Sequence, residues 1–246
     1  AAAPAATRRE PSPPAAAAGA DPDAERRRKA AIAIFLAAQA KLAGTPAAAY
    51  LAARGLDLAE LGRQPRSLRF HPSLPNRESG RCWPALVAAV TDGAGQQAAT
   101  HRTWLARDRD GTWRKAPLRD PKMSLGAVSG GSIRLWRGAS HRPLAKAAEG
   151  ETVVLAEGIE TGLSIALAVP ELRVLCAVSL ANISRVALPP AVCTVIIAAD
   201  NDGENSAAAR GLDRAVRAFS EQGRQVRIAR APVGKDFNDT LRAGEA

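Results

Sequence analysis

Hydrophobic positions along the chain change their period twice. From 23 to 42, Ile32, Phe35, Leu36 and Leu42 form an apolar face behind Asp23, a candidate N-cap, and Gly44 is the expected stop. A second short helix is predicted over 46–54, closed by Gly55. Between 66 and 137 the helical spacing disappears. Short apolar runs replace it, at Leu68 and Phe70, 85–90, 98–105, Trp113 and 133–136. Pro, Gly and Asp clusters separate them, and Asp92-Gly93 and Asp110-Gly111 are hairpin signals. This stretch predicts a small antiparallel β domain.

From Thr152 the rhythm becomes strand, helix, strand, helix. Strands are expected at 153–156, 173–178, 194–199 and 225–229. Helices are expected at 160–169, 182–187 and 206–222, with Gly223 as a C-cap and a last helix starting near Asp239. The third strand is apolar after Thr194, as a strand covered on both faces should be. Such alternation gives right-handed crossovers and a parallel sheet with helices on both faces. The fold class read from the pattern is α/β. A C-terminal parallel-sheet domain (149–246) follows a β-rich α+β domain (63–148), a helical region (23–62) and an Ala/Pro-rich segment (1–22) read as disordered.

Charge sharpens that division. The net charge is +10, but residues 149–246 carry 10 Lys+Arg and 13 Asp+Glu, against 24 and 11 in the rest. Residues 63–146 alone hold 16 basic side chains and 5 acidic ones. A basic domain beside an acidic one suits a polyanionic partner for the first and cation chemistry for the second. Cys82, Cys176 and Cys193 form no CxxC pair, and an odd count fits poorly with a disulfide framework, so a reduced, cytoplasmic setting is expected. Residues 1–6 lack the basic and apolar regions of a signal peptide, and no run reaches the roughly 18 apolar residues of a membrane span. A P-loop is absent, so no ATPase motor is expected here.

The acids are not scattered. Glu157-Gly158-Ile159-Glu160 follows the first predicted parallel strand, and Asp200-Asn201-Asp202-Gly203-Glu204 follows the third. Lys235-Asp236-Phe237-Asn238-Asp239 follows the fourth after a short loop. All three lie at carboxyl ends of strands, where an open α/β sheet gathers its functional groups. Clustered carboxylates stay ionised cheaply only around a cation, and an oxygen-only set favours Mg²⁺ or Mn²⁺. Asp239 reads equally well as a helix N-cap, and Glu160 as an acid complementing a helix dipole.

The segments "VVLAEGIETGLSIA", "VIIAADNDGENSAA" and "GKDFND" resemble the three acidic motifs of the Toprim domain, over about residues 150–243. The variant is similar to that of phage and plasmid primases and primase-helicases. The resemblance implies that Glu157 is the catalytic glutamate, acting as general acid or base. It places Mg²⁺ or Mn²⁺ on Asp200 and Asp202, and the third acidic position on Asp236. Glu160, Lys235, Asn238 and Asp239 are further candidates. The wording of the third motif departs from that of housekeeping primases.

Upstream, "LRFHPSL", "CWPALVAAVTD", "HRTWLARD", "KAPLRDPKMSLG" and "GGSIRLW" resemble the region preceding Toprim in those mobile-element proteins. That implies a surface for template and nucleotides, with His101, Arg102, Lys115, Lys122, Arg134 and Arg137 as candidate phosphate contacts. Trp104, Trp113 and Trp136 could stack on bases, or could form the small core of the β domain. The expected activity is metal-dependent primer synthesis on single-stranded DNA from nucleoside triphosphates, with a separate helicase as partner. A Toprim nuclease and a non-catalytic DNA-binding accessory protein are the alternatives. The sole tyrosine, Tyr50, falls in the helical region, which argues strongly against a topoisomerase.

Overall fold

The computed structural model describes residues 21–201 and 206–244. The segment expected to be disordered lies outside them but for its last two residues, and Asp202, Gly203 and Glu204 lie outside as well. Helix α1 (Pro22–Ala37) opens at Asp21, not at Asp23: the Asp21 carboxylate accepts from Asp23 N at 3.0 Å, and Pro22 occupies the first turn. Helix α2 (Pro46–Ala52) is capped by Thr45 and closes through Gly55, at φ 73°.

Six strands follow: β1 (Leu68–Asn76), β2 (Arg81–Thr91), β3 (Gln97–Arg107), β4 (Trp113–Lys115), β5 (Lys122–Gly126) and β6 (Ser132–Arg137). Five match the predicted apolar runs. β5 does not, because it opens on exposed Lys122 and Met123 and carries little apolar signal. In the β2–β3 hairpin the left-handed position is Gly95, at φ 85°, two residues beyond the Asp92-Gly93 pair.

The remaining elements are β7 (Glu151–Ala156), α3 (Ile159–Ala168), β8 (Arg173–Cys176), α4 (Leu180–Ile183), β9 (Val192–Ala199), α5 (Ser206–Glu221), β10 (Gln225–Arg230) and α6 (Phe237–Ala243). β10, β9, β7 and β8 are parallel, in that order. β8 stops two residues earlier than its apolar run suggests, since Val178 turns the chain out at φ 72°.

One feature could not be read along the chain. β6 pairs antiparallel with β8 on one side and with β2 on the other, so a single sheet runs through the β-rich and parallel parts in the order β10-β9-β7-β8-β6-β2-β3-β4. Its two faces are covered differently. On one face, α2, α3 and α6 pack over Leu86, Val90, Leu105, Ile133, Val154 and Val174. On the other, α5 packs Leu212, Ala215 and Phe219 over Val153, Leu155, Val195 and Ile197, while α1 seats Phe35 against Val87, Ala89 and Trp104. Burying Phe219 completely contributes about 2–3 kcal/mol on transfer grounds. Among the described residues, no helix is long and apolar enough to cross a membrane.

Candidate functional site

β7 and β9 are neighbours in the sheet, with Ala156 opposite Ala198. The residues that leave them, Glu157 and Asp200, therefore emerge side by side, and both line one small crevice between α4 and α5. Arg230, at the end of β10, lines it too, and its guanidinium donates to Asp200 O at 3.2 Å. Cys176 Sγ donates to Glu157 O at 3.1 Å, which pins the backbone where β7 ends. Burial pushes the Cys176 thiol up to about 12, so it is inert at neutral pH.

The third acidic motif reaches the same edge through Asn201. Asn201 N donates to Lys235 O at 2.7 Å, and its amide donates to Ala231 O (2.8 Å) and Gly234 O (3.0 Å). The acids of that motif are engaged locally. Asp236 is the N-cap of α6, its Oδ1 accepting from Asn238 N and Asp239 N at 2.9 and 3.0 Å. Asp239 is not the cap; its carboxylate accepts from Lys235 N at 2.9 Å. Asn238 is fully buried beneath α3, donating to Arg54 O and Ser164 Oγ, so it does not face the crevice.

Glu160 is drawn away from the crevice into a buried contact on the α2–α3 face. Its Oε1 accepts from Tyr50 Oη at 2.5 Å and pairs with Lys115 Nζ at 2.9 Å. Burial works against its charge, yet Lys115 and the Tyr50 hydroxyl prevail and hold the carboxyl at about 2. Tyr50 is buried, and burial with the neighbouring carboxylate pushes its phenol far above the ordinary range. His101 lies close by on β3, its Nδ1 3.0 Å from Ser124 Oγ on β5. Burial, then Lys122, lowers the imidazole to about 4, so it is neutral at pH 7.

The structure thus divides the predicted basic set. His101, Lys115 and Lys122 share the Glu160 side. Arg102 points to the opposite face, over the Trp104 ring at 4.9 Å. Arg134 and Arg137 line a groove of their own with Arg63 and Arg66. The tryptophans are mostly core: Trp104 is 1% exposed and donates to Leu74 O, Trp136 is 7% exposed and donates to Pro170 O, and Trp113 packs partly buried under α2. Tyr50, Asn201 and Arg230 were not picked out from sequence. Asn201 alone carried a signal, sitting between the two aspartates of the second motif.

Residues 152–246 match the model of the Toprim domain family. This part of the chain is a Toprim domain. Residues 25–135, ahead of it, match a domain family of unknown function, DUF7146. No curated protein matches the chain. Among solved structures, the DnaG primase catalytic domain bound to single-stranded DNA aligns with a TM-score of 0.54 and 18% identity, over 91% of this chain and 77% of that one. The Escherichia coli primase catalytic core gives 0.53 and 17%, over 89% and 75%. A Pseudomonas aeruginosa DNA primase domain gives 0.52 and 17%, over 90% and 75%. At such identities the likeness is one of fold, and it extends across the Toprim domain and the β-rich part together.

A Toprim domain implies a divalent cation, and the donor chemistry here fits one. Glu157 and Asp200 offer hard oxygen ligands at adjacent strand ends, and Asp202 lies outside the described residues. Among the described residues, no three His, Cys, Asp or Glu side chains converge as a ligand set. Asp200 with Asp202 would hold the ion, and Asp236, as a helix cap, contributes to loop shape.

Proposed function

We propose that this chain is a primase-type nucleotidyltransferase that builds short primers on single-stranded DNA from nucleoside triphosphates, in the replication of a mobile element. The observation that carries the reading is the pairing of Glu157 and Asp200 at one crevice, in a Toprim domain whose sheet continues into a basic β-rich part. Held on Asp200 and Asp202, Mg²⁺ or Mn²⁺ would neutralise the triphosphate and favour ionisation of the attacking hydroxyl.

The chain's own residues supply the rest. Glu157 is positioned to accept the proton of the primer 3′-hydroxyl as its oxygen bonds to the α-phosphorus and pyrophosphate leaves. Arg230 provides a fixed positive charge at the crevice wall. Lys122, exposed beside the neutral His101, offers a phosphate contact from the β-rich part, whereas Lys115 is already paired with Glu160. Tyr50, buried and donating to Glu160, is not available as a strand-cleaving nucleophile.

The test is a primer-synthesis assay on single-stranded DNA with labelled nucleotides and Mg²⁺ or Mn²⁺, run beside Asp200→Ala and Glu157→Gln. Short labelled products that both variants lose are expected. Metal-dependent degradation of the template, lost in the same variants, would move the assignment to a nuclease. Salt-sensitive DNA binding with neither activity would leave an accessory role.

A further inference from the structure

We infer that Glu160 is a positioning residue: its carboxylate, held by Tyr50 and Lys115, sets the β7–α3 turn that carries Glu157 against the β-rich part. The inference rests on the primase reading above and concerns a residue outside the crevice. Glu160 stands three places beyond Glu157, in the first turn of α3. Gly158, the N-cap of that helix, makes no side-chain cap bond. The turn therefore lacks the local anchor that Asp21, Thr45 and Asp236 give α1, α2 and α6. Its anchor comes from distant parts of the chain. Tyr50 on α2 and Lys115 on β4 converge on one oxygen, Oε1, at 2.5 and 2.9 Å. Oε2 lies back over the N-cap, 3.7 Å from where a Cβ of Gly158 would stand. One carboxylate thus joins α2, β4 and the turn that follows Glu157.

The sheet alone fixes that relation loosely. Where the two parts meet, β2 pairs with β6 through Val90 with Ile133 and Thr91 with Ser132, a seam two residues long. A pairing so short leaves the twist across the seam to whatever packs over it, and the Glu160 contact bridges it on the α2–α3 face. Beside it, Asn238 Nδ2 reaches Arg54 O at 2.8 Å, a neutral bond to the end of α2. Lys115 also opens the stretch that ends on Lys122. Cys176, whose thiol donates to Glu157 O, lies within reach of the Lys122 charge. The hold on Glu160 therefore sets Lys122 against Glu157 as well. Stability gives little reason for a charged pair here, because apolar side chains of similar size hold buried surfaces together at least as well. What two donors on one oxygen add is direction: a shift of about 1 Å takes that oxygen out of hydrogen-bond range.

The test measures kcat and KM for primer synthesis in the full chain, in Lys115→Met/Glu160→Gln, and in Phe35→Leu, a core change on the opposite face. The double variant removes the tie without leaving a lone buried charge, so it folds where Lys115→Met alone need not. Phe35→Leu supplies a loss of stability away from α3. In the double variant kcat should fall about tenfold or more with KM for nucleotide within about twofold, since misplacing a reacting group by about 1 Å costs up to roughly 10²-fold. Phe35→Leu should keep kcat. Pulsed electron–electron resonance between nitroxides on Cys82 and Cys193, exposed cysteines on β2 and β9, gives a readout independent of activity; Cys176 is buried. The distance distribution should be narrow in the wild-type chain and in Phe35→Leu, and broadened or displaced in the double variant. A double variant that keeps kcat, a fall that Phe35→Leu shares, a rise in KM at constant kcat, or an unchanged distance distribution would overturn the inference and leave the primase reading standing. A wild-type chain that makes no primers would remove that reading, and the inference with it.

Discussion

Replacing Lys115 with Met should cost far more than the loss of an ordinary surface ion pair. The Lys115–Glu160 contact is 2.9 Å long, with the glutamate side chain 10% exposed and the lysine 30%. At an effective dielectric of about 20, two unit charges this close attract by roughly 4–6 kcal/mol, offset by the desolvation of the glutamate. Removing one partner of a buried pair costs about 3–5 kcal/mol because the other charge stays buried. Lys115 is partly solvated, so about 3 kcal/mol is expected. The pH dependence identifies the cause. In the wild-type chain Glu160 is held at about 2 against 4.5, so it adds stability above pH 4.5 that is lost as pH falls towards 2. Without Lys115, burial dominates and raises that carboxyl above 4.5, so the penalty should shrink as pH drops from 7 to 4 and Glu160 takes up its proton. Urea unfolding at both pH values measures this, and Glu160→Gln added to Lys115→Met should restore part of the loss at pH 7. A Lys115→Met penalty below about 1 kcal/mol, equal at both pH values, would refute the buried-pair reasoning.

Other outcomes follow from the same geometry. Tyr50→Phe should lose about 1.5–3 kcal/mol, the range for a hydrogen bond to a charged group, measured by the same unfolding curves. His101, at about 4 against 6.5 unfolded, stays neutral while the unfolded chain takes up protons, so stability should fall by about 2 kcal/mol between pH 7 and 5. His101→Gln should flatten that step, and an undiminished step in the variant would place its origin elsewhere. Asp236→Ala should cost about 1 kcal/mol through the lost N-cap, whereas Asp236→Asn should restore stability; comparing primer synthesis in the two separates cap from charge. Asn201→Ala, which frees the carbonyls of Ala231 and Gly234, should speed hydrogen exchange in the 231–236 loop and lower activity, with little change in global unfolding.

Much of the architecture was legible in the residues because each element carries its own periodicity. The apolar runs of β2 and β3, the strand–helix rhythm after Thr152, and a glycine such as Gly223 (φ 76°) closing α5 are local facts, set by side-chain geometry and backbone sterics. The acids after β7 and β9 were legible too, because a parallel sheet delivers its loops to one edge. Glu157 and Asp200 do meet there. What tertiary structure alone decided was which like residues share a surface. Glu160, three residues from Glu157, turns inward to Tyr50, 110 positions away, because it sits in the first turn of α3, on the α2 side of the sheet. The basic residues that look alike in sequence part company because strand alternation sends His101 to one face and Arg102 to the other. Arg63, Arg66, Arg134 and Arg137 come together only because β6 pairs with both β2 and β8, a join between distant segments that no local pattern encodes.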